Sequence, residues 1–226
     1  LGGGRRHQPR RSIGDVDARM AAPRSLWDPT YVENSWIQQS LDGPIALIPR
    51  VKAKIAANDP EIKLAFTEWN YGAGNHISGA IASADVLGIF GREQVDMACL
   101  WKLNGDEPYN DAALRVFRNF DGLGSTFGDM SIFAQTTDVA LSSVYASVDS
   151  KNPRRTTIVV INKAAVSKSV ALRIAHPLAY PRLTVSTLTE SGGPALQSAS
   201  DLVAKDVNAF VFSMPERSLL VLVGSP

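Results

Sequence analysis

Ile62-Lys63-Leu64-Ala65-Phe66-Thr67-Glu68-Trp69-Asn70-Tyr71-Gly72 reads as a short apolar strand that follows the turn signal Asn58-Asp59-Pro60 and delivers a carboxylate to a glycine-containing loop. A helix is predicted next, from about Ser78 to Glu93, with Ile81, Ala84, Leu87 and Phe90 on one face. The unit then repeats. Val95–Leu103 is strand-like, Asn104–Asn110 is a loop, and Asp111–Phe120 is helical, while upstream Gly43–Ala57 reads as a further helix containing Ile48, Val51 and Ile55. Helices alternating with strands in this way belong to a βα barrel or a doubly wound sheet.

The texture changes near residue 130. Val144/Ala146/Val148, Val170/Leu172/Ile174 and Phe210/Phe212/Met214 alternate with period two, each placing apolar side chains on one face. Thr156–Ile161 and Leu219–Val223 are apolar on both faces and are expected to be central strands. Turn clusters at 150–153 and 190–194 separate them, and six or seven such strands without helices predict an antiparallel β-sandwich. The expected fold is therefore α/β plus all-β. Residues 23–130 would be the later βα units of a TIM-like barrel and 131–226 a sandwich, preceded by a poorly matched segment over 1–22.

Composition narrows the function. The chain has 226 residues, 45% of them hydrophobic, which suffices for a substantial core and excludes a disordered chain. With 23 Lys and Arg against 22 Asp and Glu, nothing global favours nucleic acid or an acidic membrane, and no run of eighteen apolar residues is present. Arg5, Arg6, Arg10 and Arg11 are read as part of a solvated tail over the first twenty residues rather than a nucleic-acid arm. The single cysteine, Cys99, allows no intramolecular disulfide and is expected to be a small buried hydrophobe.

Chemistry concentrates around Glu68. In a βα barrel the C-terminal ends of the strands carry the active site. A carboxylate flanked by Trp69 and Tyr71 suits sugar, because aromatic faces stack on a pyranose while Asn70 can hydrogen-bond its hydroxyls. Such a carboxylate can attack an anomeric carbon while a second acts as acid and base. The same position equally fits a structural salt bridge or a loop cap. His76 reads as a loop residue that orients the site, lacking partners at zinc-ligand spacing. Asp28, Asp85, Asp96 and Asp106 read as loop, helix-surface or turn acids, with Glu107, in the second strand-to-helix loop, the most interesting exception. Trp27, Trp36 and Trp101 are candidate sugar platforms or core residues. A non-catalytic sugar-binding module is disfavoured on the sandwich, because all four tryptophans precede residue 102.

Two long segments make the pattern specific. Phe66 to Gly79, continuing through Ala84-Asp85-Val86-Leu87-Gly88-Ile89-Phe90-Gly91-Arg92-Glu93, and Arg24-Ser25-Leu26-Trp27-Asp28-Pro29-Thr30-Tyr31-Val32 upstream, resemble glycoside hydrolase family 44. The resemblance runs from about Arg24 to Trp101 and is looser through the sandwich. It implies the C-terminal part of a retaining endo-β-1,4-glucanase acting on cellulose-type glucans or xyloglucan, a (β/α)8-type barrel with a sandwich beside it, and Glu68 as nucleophile. It further implies substrate contacts from Trp27, Trp36, Trp69, Asn70, Tyr71 and Trp101, with Asn75 and His76 orienting the site. Lys102 stands where another aromatic is often found. The acid/base glutamate would come from an earlier barrel strand, with no match in this chain. No cofactor or metal is expected. The resemblance also implies secretion from a bacterium, a monomeric full-length enzyme, and no nucleic-acid or membrane partner. Two alternatives stay open: a glucan-binding or degenerate remnant, and a retaining hydrolase of another β-linked polysaccharide.

Overall fold

The structure, a computed structural model, describes residues 13–102 and 105–226. The arginines at 5, 6, 10 and 11 lie outside the described residues. From Ile13 onward the expected tail is instead a helix, α1 (Ile13–Ala21), whose Met20 is 2% exposed in the core. A 3₁₀ turn (Ala22–Leu26) follows, then α2 (Trp36–Leu41) and α3 (Leu47–Asn58). α2 escaped the sequence reading, although Ser35 caps it by accepting a hydrogen bond from the Gln38 amide at 3.3 Å. α3 starts four residues later than expected because Ala46 adopts a left-handed conformation at φ 41°.

The two predicted βα units are present: β1 (Ala65–Trp69), α4 (Ile77–Arg92), β2 (Met97–Leu100) and α5 (Pro108–Arg118). β1 and β2 pair in parallel, with Ala65 opposite Met97 and a register irregularity between Phe66 and Trp69. α4 is buried on nearly every side rather than on one face, with Leu87 half-exposed and only its last turn, Gly91 and Arg92, opening to solvent. Its small residues explain this. A Cβ added at Gly88 would lie 2.3 Å from the Tyr145 ring, so the helix approaches the neighbouring sheet as closely as a glycine allows.

That sheet contains β3 (Met130–Ile132), β4 (Ser142–Asp149), β5 (Asn152–Asn162), β7 (Arg182–Leu188), β8 (Gln197–Val203) and β10 (Ser218–Gly224), in the order β3-β4-β5-β10-β7-β8 and antiparallel throughout. β6 (Lys168–Arg173) and β9 (Ala209–Met214) form a separate antiparallel pair. Alternation decides which way each residue points. Ile158, Val160, Leu220 and Leu222 meet Phe210, Phe212 and Met214 of the β6–β9 pair in one apolar cluster. Val159, Ile161, Leu219 and Val221 meet α4 and α5 in the other. β5 and β10 are thus buried on both faces, as their unbroken apolar runs require. The second cluster crosses from the helices into the sheet, so the α/β part and the sandwich share one core.

Candidate active site

β1 ends by presenting Glu68 to solvent, where it has no hydrogen bond or ion pair among the described residues. The backbone then turns through Gly72 (φ 73°) and Ala73 (φ 53°), both left-handed, before His76 starts α4. His76 Nδ1 accepts from the Ser78 amide at 3.1 Å, and its Nε2 lies 3.4 Å from Glu190 Oε1 in the β7–β8 loop. From α1, Arg19 donates to the Tyr71 carbonyl and to Ser78 Oγ, both at 3.1 Å. His76 is thus held between Ser78 and Glu190, while Arg19 holds the Tyr71 carbonyl and Ser78; nothing in the sequence selects Arg19 or Glu190. Asn75 is exposed and makes no hydrogen bond among the described residues.

Asn70 is the hub of the loop. Its Nδ2 donates to the Trp101 carbonyl at 2.6 Å and to Glu107 Oε2 at 3.1 Å, and its Oδ1 accepts from the Gly72 amide. Both amide hydrogens are thereby used within the protein, tying the ends of β1 and β2 together, so the expected sugar contact would fall to the remaining lone pair of Oδ1. Glu107 is 1% exposed and also accepts from Asn110 Nδ2 at 2.7 Å.

The aromatic residues divide. Trp101, just past β2, is 53% exposed beside this loop, and its backbone amide donates to the Trp69 carbonyl at 3.0 Å. Trp36 opens α2 with 75% of its surface exposed. Trp69 is only 7% exposed and meets Phe90 edge-on at 5.7 Å, so it is a core residue and not a sugar platform. The irregular β1–β2 pairing turns it toward α4. Tyr71 is half-buried, and burial, with the charges of Glu33 and Asp85 adding to it, pushes its phenol well above the ordinary value.

Trp27 lies 4.2 Å beneath the guanidinium of Arg92, the last residue of α4. Sixteen helical residues span about 24 Å, which places Trp27 at the far end of α4 from the Glu68 loop. Lys102 is paired with Asp111 at 2.7 Å.

The other acids are accounted for. Asp96 is a surface acid that accepts from the Leu64 amide at 3.2 Å, and Asp106 is exposed. Asp85 is not on the surface as expected: it is 1% exposed and bonded to Lys163 Nζ and Tyr145 Oη, each at 2.6 Å. Cys99 is exposed rather than buried, because the face of β1–β2 that carries Ala65, Met97 and Cys99 has no layer packed on it among the described residues.

No protein-family model matches the chain. It is 45% identical over 153 residues to endoglucanase A of Paenibacillus lautus, covering 66% of the chain but 22% of that protein. A solved family 44 endoglucanase from Clostridium acetobutylium superposes with a TM-score of 0.90 at 36% identity, covering 93% of the chain and 41% of the solved one. A family 44 xyloglucanase from Paenibacillus polymyxa, solved with xyloglucan, gives 0.88 at 38% identity over 93% of the chain and 42% of its own. Sequence and fold agree over nearly the whole chain, which belongs to glycoside hydrolase family 44 and spans about two fifths of the length of these solved members.

Proposed function

We propose that this chain is the nucleophile-bearing, C-terminal part of a retaining endo-β-1,4-glucanase that acts on cellulose-type glucans or xyloglucan outside a bacterial cell. The observation that carries the proposal is Glu68, exposed and without an ion-pair partner among the described residues at the C-terminal end of a parallel strand, with the exposed Trp101 at the end of the next. The xyloglucanase solved with its polysaccharide supports a glucan as substrate.

In this reading the two βα units belong to a (β/α)8 barrel with its active site at the C-terminal ends of its strands. Trp101 stacks on a pyranose face, and the Glu68 carboxylate attacks the anomeric carbon as the glycosidic oxygen departs. The glycosyl ester is then hydrolysed by water. Retention requires a second carboxyl about 5–5.5 Å from the first, to protonate the leaving oxygen and then deprotonate water. That group comes from an earlier barrel strand of the full-length enzyme, which acts as a monomer.

A dinitrophenyl 2-deoxy-2-fluoro-β-cellobioside, whose leaving group departs without protonation, should label Glu68 in the full-length enzyme. Peptide mapping that finds the label on another residue overturns the assignment. A glucan-binding remnant is the second reading, favoured by the exposure of Trp36 and Trp101. It predicts binding without turnover on carboxymethyl cellulose, whereas the leading reading predicts turnover by the full-length enzyme.

A further inference from the structure

We propose that Glu107 is a positioning residue for this site: its buried carboxylate holds the Asn70 side chain, and through it the backbone that follows β1 after Glu68 and β2 at Trp101. The inference rests on the reading of Glu68 as nucleophile. Glu107 occupies the N-cap position of α5, yet its side chain makes no capping hydrogen bond to that helix. It turns instead toward Asn70 and Asn110. Asn110, fully buried on α5, accepts from Ser83 Oγ of α4 at 3.0 Å, which anchors the carboxylate from behind. Gly74 lies against it so closely that a Cβ there would fall 2.4 Å from Glu107 Cβ, and the Gly74 carbonyl accepts from the Tyr109 amide at 2.8 Å.

The chain of contacts runs from the α4–α5 interface through Asn110 and Glu107 to Asn70, and ends on the Trp101 carbonyl and the Gly72 amide. A carboxylate this buried costs several kcal/mol to desolvate and is retained where strong hydrogen bonds compensate it. Its charge-assisted bonds also define which way the Asn70 amide faces. With Nδ2 drawn to Glu107, Oδ1 is left toward the Gly72 amide, and the left-handed turn that follows Glu68 is held. A purely structural acid would stabilise the fold without altering the reactivity of Glu68.

The test compares the full-length enzyme with its Glu107→Gln, Asn70→Ala and double variants. Hydrogen exchange of the 69–76 peptide should accelerate at least tenfold in each single variant, with β5 and β10 unchanged. The rate of Glu68 labelling by the fluorocellobioside should fall at least tenfold with its half-saturating concentration unchanged, and the double variant should lose no more than either single one. Wild-type exchange at 69–76 in a folded Glu107→Gln protein overturns the proposal, as do losses that multiply in the double variant. Should Glu107→Gln fail to fold, wild-type exchange in Asn70→Ala has the same force. Accelerated exchange in a wild-type background that never labels at Glu68 upholds the positioning of the loop and refutes the nucleophile.

Discussion

Asp28 shows how a residue that reads as a loop acid becomes part of the core. It is 4% exposed, and burial by itself would raise its pKa. Hydrogen bonds from the Thr30 hydroxyl and amide, at 2.7 and 2.9 Å, and from the Arg24 guanidinium outweigh that cost and hold the carboxyl below its ordinary value of 3.8. A depressed folded-state pKa contributes stability that is complete above the unfolded value and lost as pH falls through the folded one. Thr30→Val removes the hydroxyl donor and should cost about 1 kcal/mol at neutral pH. The difference from the parent should shrink as pH falls below 3.8 and onward through the lower folded-state value, where the carboxyl protonates in both states. Urea unfolding at neutral pH and through a descending series below pH 3.8 measures both; a difference that grows in acid contradicts the assignment. Trp69 is the opposite case, a residue whose surroundings gave the wrong role. Regular period-two alternation would put Trp69 on the open face with Ala65 and Thr67; the irregularity after Phe66 brings it to the buried side with Phe66, and it is a property of two strands together, invisible in either alone.

Among the elements, α4 shows most clearly what a one-dimensional pattern can and cannot reveal. Its existence and its ends, to within one residue, were legible from the glycine-containing loop before it and the apolar spacing of Ile81, Ala84, Leu87 and Phe90. The face it buries was not, because Gly79, Ala80, Ala82, Ser83 and Gly88 carry little hydrophobic signal while permitting contact on every side. Strands β5, β9 and β10 were read well for the same reason in reverse, since they bury branched or aromatic residues in strict alternation or on both faces, whereas β3, β7 and β8 carry a weaker signal and bring the strands to eight rather than six or seven. Asp85 and Lys163 were not legible as partners, being far apart in sequence. Together with Tyr145, whose phenol is pushed well above its ordinary value by burial and then by Asp85, they pin α4 to the sheet. Asp85→Asn leaves a 3% exposed Lys163 without its counter-charge and should destabilise the fold by about 3–5 kcal/mol. An Asp85→Leu, Lys163→Met double variant should recover much of that loss, since apolar pairs of similar size replace buried ion pairs at little cost. Denaturation in urea distinguishes the cases, and a loss under about 1 kcal/mol for Asp85→Asn refutes the pin. Because His76 caps the start of α4, the pin and the His76–Glu190 contact together hold the site loop to the sandwich.

At the scale of the whole molecule, the two parts are unequally closed. The sandwich satisfies β5, β10 and β7 on both edges, whereas β1 and β2 pair only with each other among the described residues. Their outer edges carry unpaired backbone groups, and the face bearing Ala65, Met97 and Cys99 is open, with Met97 52% exposed. Val32, Trp36, Ile37, Leu41 and Ile62 extend the exposed apolar surface of the same α/β part. Unpaired parallel strands beside uncovered apolar side chains are a template for further pairing. This chain, prepared by itself, should therefore self-associate through its α/β part at micromolar concentration. Light scattering over a dilution series should show mass rising with concentration, and Met97→Lys should shift the onset upward by placing a charge on the open face. Hydrogen exchange should slow at β1 and β2 as association proceeds and stay constant in β5 and β10. A concentration-independent monomer with a sharp unfolding transition would show that β1 and β2 are stable as an isolated pair, and that their open face recruits nothing.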